Sequence, residues 1–352
     1  MSKCNLVSFE NQVIFIGIDV HKNNWNVNMR HCGRELSKFN MNPSPELLAE
    51  HLKTNYLGAE FKSVYEAGFC GFWIHRRLCD LGIKNIVINP ADVPTSGKEK
   101  LYKNDQIDSK KLSRELENES LVEIYIPSEE NLRFRSLVRR ETQIVKNIIR
   151  TKNRIKSHFN FHGRKFYSWA ARNIRIMEEE AIKYGDYPLL SMFRELKFLR
   201  LEKLQIVRDE RKCLEELDLK EIQQYLASIP GIGFRSAITL LAELWTLERF
   251  ATKEALSSYV GLAPRLVGSG EIETTKTAGS RKKKELHCIL IQAAWRATAF
   301  NPEFRALYGR LVHKKGSQKS IVIIAKRLLN IIYAVWTQQR FYRNYNVVQQ
   351  EI

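Results

Sequence analysis

Residues 13–18 (Val13, Ile14, Phe15, Ile16, Gly17, Ile18) hold five apolar side chains, mostly β-branched, and predict a buried strand. Asp19 stands toward its end. A lone carboxylate there must shift its pKa, find a cation or bind a metal, unless it only caps a turn or pairs with Lys22. Residues 24–30 then alternate, with Trp25, Val27 and Met29 on one face, and 35–40 form a third candidate strand. The period of two predicts an antiparallel meander. Pro43, Ser44 and Pro45 open a helix to about residue 54, residues 62–65 form a strand delivering Glu66, and Ala67-Gly68 reads as a loop. A helix over 72–81 and a strand over 85–89 complete a mixed α/β sheet.

A polar, Lys-rich stretch at 94–104 predicts a mobile loop, and a helix opens at Asp105. Asp105 and Asp108, three apart, share a helix face. Asp105 also suits a helix cap, a role that leaves Asp108 over. From 129 to about 219 the pattern turns to long helices. Leu137, Ile144, Ile148 and Ile155 mark an apolar stripe, and neither Pro nor Gly occurs over 129–162. A second helix over 188–217 folds back on the first or pairs with another subunit. Residues 226–237, with Pro230, Gly231 and Gly233 between two apolar flanks, match a helix-hairpin-helix. Its glycines would let backbone N–H groups approach a phosphate; an αα-turn without a ligand is the alternative. Ser269 lies on a predicted loop between Gly268 and Gly270, and Ser236, Ser257, Ser258 and Ser280 compete with it as reactive hydroxyls. Helices are expected at 286–298 and 320–336, joined by a basic loop at 313–319.

Charge sharpens this picture. The 352 residues carry a net charge of +18, which favours a polyanionic partner, nucleic acid ahead of membrane. The charge is uneven: residues 133–165 contain eleven Lys or Arg against the single acid Glu141. From that run Arg133, Arg139, Arg140, Lys146, Arg150, Lys152, Arg154 and Lys156 are candidate phosphate contacts. Lys276, Arg281, Lys282, Lys283 and Lys284 are further candidates, with Gly231 and Gly233. The length implies two or three domains. We divide it into an α/β domain over 1–128, a basic helical, coiled-coil arm over 129–220 and a mainly helical C-terminal domain over 221–352. The six cysteines show no metal-binding spacing and read as reduced thiols. Neither a leader nor an apolar run near the ~20 residues that span a bilayer is visible, so a cytoplasmic protein is expected.

The acids fall in the order strand Asp19, strand Glu66, helix Asp105 and Asp108, the arrangement of an RNase H-like metal site. Clustered carboxylates repel unless a hard cation lies between them, and Mg²⁺ accepts carboxylate and phosphate oxygens together. Two such ions could serve the attacking and leaving oxygens.

Four segments carry a resemblance. Residues 16–22 (Ile16 to Lys22 around Asp19), 65–68 (Tyr65 to Gly68), 103–108 (Lys103 to Asp108) and the Gly261-Leu262-Ala263-Pro264 run followed by Ser269-Gly270 resemble the insertion-sequence 110 family of transposases. These are bridge-RNA-guided recombinases, related also to pilin-gene invertases, and the resemblance covers nearly the whole chain. It implies an RNase H-like, Holliday-junction-resolvase-like first domain and a C-terminal transposase domain. It further implies an Mg²⁺ site of Asp19, Glu66, Asp105 and Asp108, and Ser269 as a nucleophile that becomes covalently linked to DNA through phosphoserine. Donor and target DNA would be paired by a non-coding bridge RNA, part of it on the 133–165 arm. A homo-oligomer is implied as well, a dimer assembling to a tetramer in which one subunit's acids complete another's serine domain. Ser109 stands where relatives usually carry Ala, and residues 279–284 are more basic than the usual Gly-Asn turn. Two other readings stay open: a metal-only endonuclease or junction resolvase without a covalent intermediate, and a non-enzymatic nucleic-acid-binding protein whose acids are structural.

Overall fold

The computed structural model describes residues 9–94, 105–269, 272–277 and 283–343, with the backbone alone at 105–107, 264–269 and 272–277. Most of the Lys-rich stretch at 94–104 lies outside the described residues, as do Ser280, Arg281 and Lys282. The chain divides into two compact units between Ile126 and Pro127, and the residues expected as arm and C-terminal domain share the second.

In the first unit the elements run β1 (Val13–Val20), β2 (Trp25–His31), β3 (Arg34–Met41), α1 (Pro45–Asn55), β4 (Glu60–Glu66), α2 (Trp73–Asp80), β5 (Lys84–Ile88) and α3 (Asp105–Glu117). The sheet order is β3-β2-β1-β4-β5. The first three strands form the predicted antiparallel meander, and β4 and β5 extend it in parallel. Alternation sorts the side chains onto two faces. Ile14, Ile16, Ile18, Trp25, Val27 and Tyr65 pack under Leu48 and Leu52 of α1 and Ile74 and Leu78 of α2. Phe15, Val64, Ile86 and Ile88 pack against Leu112 and Leu116 of α3 on the other face. Ser44 caps α1 by accepting from the Leu47 N–H.

The second unit is mostly helical: α4 (Glu129–Phe161), α5 (Ala171–Lys183), α6 (Tyr187–Glu216), α7 (Lys220–Ala227), α8 (Phe234–Leu244), α9 (Lys253–Val260), the hairpin β6 (Pro264–Ser269) and β7 (Ile272–Thr277), α10 (Lys284–Phe300) and α11 (Pro302–Gln338). Helices α4 and α6 pack antiparallel along their length. Val138 meets Leu214 in one cluster, Ile144 meets Leu199 and Ile206 in the next, and Phe159 meets Leu189 and Phe193 at the far end. At the near end the Arg235 guanidinium reaches the buried carboxylates of Glu210 (2.5 Å) and Glu141 and the Val138 carbonyl (2.8 Å), joining α8 to both long helices.

Three expectations are corrected. Helix α5 occupies a stretch read without an element of its own. The expected basic loop at 313–319 is helical on both sides of a break at Gly316, whose φ of 73° interrupts α11. A stretch within α11 is long and apolar enough, by composition, to cross a bilayer, contrary to the sequence reading. Its Ile321, Ile324, Leu328 and Ile332 are buried in the second unit's own core, which accounts for the apolarity without a membrane.

Candidate active site

Parallel pairing of β1 with β4 brings two carboxylates together. The register places Ile18 beside Tyr65, so Asp19 and Glu66 follow one step on, at the carboxyl ends of adjacent strands. Strand spacing of about 4.8 Å makes them close neighbours. Both alternate with residues packed under α3, Asp19 after Phe15 and Gly17, Glu66 after Val64. They therefore share the α3 face of the sheet.

Contacts along α3 set its direction. Ser113 Oγ donates to Asn28 Oδ1 at 2.6 Å, opposite Gly17. One turn later Glu117 accepts from Arg30 Nε at 2.9 Å, and Arg30 lies opposite Phe15. The helix thus runs antiparallel to β1, so Asp108 and Asp105 lie toward the end of the strand that carries Asp19. The approach is close: a Cβ on Gly17 would lie 2.1 Å from the Ser109 carbonyl oxygen and 2.5 Å from the Ser113 nitrogen. Only a hydrogen at position 17 lets the helix sit there. Ser109 is fully buried at this contact, which requires a small residue.

His21 Nε2 donates to Asp19 Oδ2 at 3.0 Å and orients that carboxylate. Asp19 and Glu66 are partly buried and Asp108 is exposed; the Asp105 side chain lies outside the description. Among the described residues no three His, Cys, Asp or Glu side chains converge to ligating distance. The available donors are carboxylate oxygens, a set suited to a hard divalent cation.

Ser269 is the last residue of β6 and pairs with Ile272, with residues 270 and 271 between them. It therefore ends a strand at a hairpin tip, where the sequence reading expected a loop. Of its competitors, Ser257 is buried and Ser258 exposed. Isolated glycines and threonines hid this hairpin, because the alternation along 264–277 is weak.

The basic candidates separate into groups. Arg140, Lys146, Arg150, Arg154 and Lys156 are exposed, with no acidic partner among the described residues. Lys146, Arg150 and Arg154, four apart, form one ridge. Lys152 lies over the Trp169 ring at 5.1 Å, and Arg133 pairs with Glu129 at 3.3 Å. Arg139 makes a two-pronged bond with Glu243 (2.6 and 2.8 Å), a buried acid that occupies it internally. Gly231 has φ +86°, and a Cβ there would lie 2.2 Å from the Ala293 oxygen of α10, so helix packing alone demands this glycine. Gly233 is exposed before α8 with open space beside it. Lys284 opens α10 and is exposed, whereas Lys276 is described in backbone only.

Comparison with known proteins extends over both units. Residues 16–162 match the profile of the DEDD transposase domain of IS110, and residues 223–309 that of the transposase IS116/IS110/IS902 family. Among relatives, the transposase for insertion sequence element IS1111A of Coxiella burnetii is 26% identical over 290 residues, 78% of this chain and 77% of that one. The pilin gene-inverting protein of Moraxella lacunata is 36% identical over 132 residues, 36% of this chain and 40% of its own. Two Sinorhizobium fredii proteins named as transposases, 28% and 26% identical, align over 66% and 67% of this chain but only 64% and 59% of their own lengths. This chain therefore spans less than two thirds of either. The first profile falls over the strand-end acids and the α3 start, and the second over the helices flanking the hairpin; the chain carries both transposase domains of the IS110 type.

Proposed function

We propose that the protein cuts and rejoins DNA as the recombinase of an insertion sequence, with Ser269 as nucleophile and a divalent-metal site of Asp19, Glu66, Asp105 and Asp108. The carrying observation is the register that sets Asp19 beside Glu66 under the start of α3. The order Asp, Glu, Asp, Asp is also the one in the matched profile's name. Two carboxylates one strand apart fit Mg²⁺, which when bound would neutralise phosphate charge and favour ionisation of a hydroxyl. The His21 hydrogen bond holds Asp19 in one orientation for that role.

In the cutting step the Ser269 oxygen forms a bond to phosphorus and loses its proton to a base. The sugar oxygen leaves with the old P–O electrons and takes up a proton. The strand is then held as a phosphoserine ester, which conserves the bond energy for rejoining. The metal-only endonuclease is the alternative.

A bridge RNA paired with donor and target DNA accounts for the exposed Lys146, Arg150 and Arg154 ridge, and the α7–α8 turn would act as a helix-hairpin-helix with Gly233 facing a phosphate. A homo-oligomer, built through a coiled-coil arm as a dimer and then a tetramer, accounts for the exposure of Phe198 (60%), Leu201 (66%) and Leu204 (58%) on α6.

The test uses purified protein with flanking-region RNA, labelled donor and target DNA, and Mg²⁺, followed by denaturation. Label retained on wild type and lost in Ser269→Ala supports the serine mechanism. Cleavage by both proteins without an adduct sinks it in favour of the acids alone.

A further inference from the structure

The connection from β4 to α2 starts directly after Glu66 and is pinned at three points. The Ala67 N–H donates to the Ile88 carbonyl at 2.8 Å, and the Gly71 N–H closes a turn on the Gly68 carbonyl at 3.2 Å. The Tyr65 hydroxyl donates to the Gly71 carbonyl at 3.1 Å. Cys70, Phe72 and Ile74 pack against the first unit's core. Phe69 and Trp73 are left facing out, 72% and 51% exposed. Among the described residues neither ring meets another ring or a cation.

Single exposed apolar side chains are ordinary on a protein surface and call for no ligand. These two differ in setting. They stand on one rigid segment of five residues beside the acids. Phe69 is three residues beyond Glu66, so at most about 11 Å separates their Cα atoms. At the same end of the sheet Lys22, three residues beyond Asp19, is exposed with no acidic partner among the described residues. Apolar rings next to a cation suit a nucleotide, whose base offers an apolar face and whose phosphate carries negative charge. A ring already held in place loses little freedom on contact.

We propose that Phe69 and Trp73 form a stacking platform for a base of the DNA strand whose phosphodiester lies at Asp19 and Glu66. The platform rests on the reading of those acids as the DNA-cutting site and adds a substrate contact beside them. One strand advances about 3.4 Å per nucleotide, so the stacked base lies within about three nucleotides of that phosphate. A strand that is to be exchanged must part from its complement, and an aromatic ring offsets the base stacking it loses. DNA is favoured over RNA or a second copy of the chain because the base belongs to the strand held at the acids.

The test uses the full chain with flanking-region RNA and a duplex spanning the element's end, in which 5-iodouracil replaces one base at a time. Irradiation and mass spectrometry of the linked peptide are expected to show a DNA link to Phe69 or Trp73 at one or two neighbouring positions. Phe69→Ala is expected to weaken duplex affinity on the order of tenfold. The slope of log K against log salt should stay unchanged, because no charge is removed. Phe69→Trp is expected to keep wild-type affinity. Full affinity in Phe69→Ala, or equal losses in Phe69→Ala and Phe69→Trp, overturns the proposal. So does a link formed only when the 5-iodouracil is carried on the RNA, or a Phe69→Ala chain that loses self-association with its duplex affinity intact. Linking requires no cleavage, so failure of the recombinase reading would appear separately, as absent cleavage and adduct with the link intact.

Discussion

Gly17→Ala tests the placement of the acids. The added Cβ would lie 2.1 Å from the Ser109 oxygen, 2.5 Å from the Ser113 nitrogen and 3.0 Å from Leu112 Cβ. An ordinary carbon–oxygen contact is about 3.3 Å, so α3 must retreat by about 1.2 Å. A retreat of that size stretches the 2.6 Å Ser113–Asn28 hydrogen bond beyond its useful range. Overpacking costs about 1–3 kcal/mol and the lost bond about 1 kcal/mol, so we expect roughly 3 kcal/mol in all. Amide exchange at Ile16 and Ile18, in the full chain, should then quicken about 100-fold. Mg²⁺-dependent cleavage should fall on the order of 100-fold, because Asp108 moves relative to Asp19. Gly309→Ala in α11 is the control: a Cβ there meets nothing within 4 Å. The helix should gain about 0.5–1 kcal/mol. Exchange at Ile16 and Ile18 within about threefold of wild type, with cleavage intact, would refute close packing of α3 on β1.

Two further outcomes follow from buried polar groups. Among the described residues the buried Ser109 hydroxyl has no hydrogen-bond partner, so Ser109→Ala should add about 1 kcal/mol and slow exchange at the same β1 amides about fivefold; faster exchange would mean the hydroxyl is satisfied. Asp186 begins α6 and bonds His158 (2.8 Å), Arg164 (2.8 Å) and the Leu189 N–H (3.1 Å). Burial works to raise its carboxyl, but these partners outweigh it and hold the pKa below the ordinary 3.8. A depressed carboxylate contributes its stability above the unfolded value and loses it as pH falls through the folded one. The far end of the α4–α6 pair should therefore weaken below about pH 4 in wild type and show a flatter acid profile in Asp186→Asn, measured by amide exchange of Leu189 and Phe193. Equal acid profiles would remove Asp186 from the account.

The sequence alone determined what is written in local periodicity. Alternation in residues 24–30, the β-branched run before Asp19 and the long stripe through Ile144 and Ile155 each report a period confined to one stretch of chain, so the sheet and the long helices were legible. The order of the four acids was legible for the same reason, since it needs only their positions along the chain. Tertiary structure decided which of them meet. The register placing Asp19 beside Glu66 depends on pairing between strands some forty residues apart, and the direction of α3 depends on hydrogen bonds to Asn28 and Arg30. Gly17 and Gly231 read as strand and turn residues until helices came within 2.1–2.2 Å of their absent side chains. Charge was the least legible feature. Arg135 and Arg139 are alike in the sequence, but a buried carboxylate on α8 holds Arg139 in a two-pronged bond and leaves Arg135, one turn away, without one, and that distinction exists only across elements.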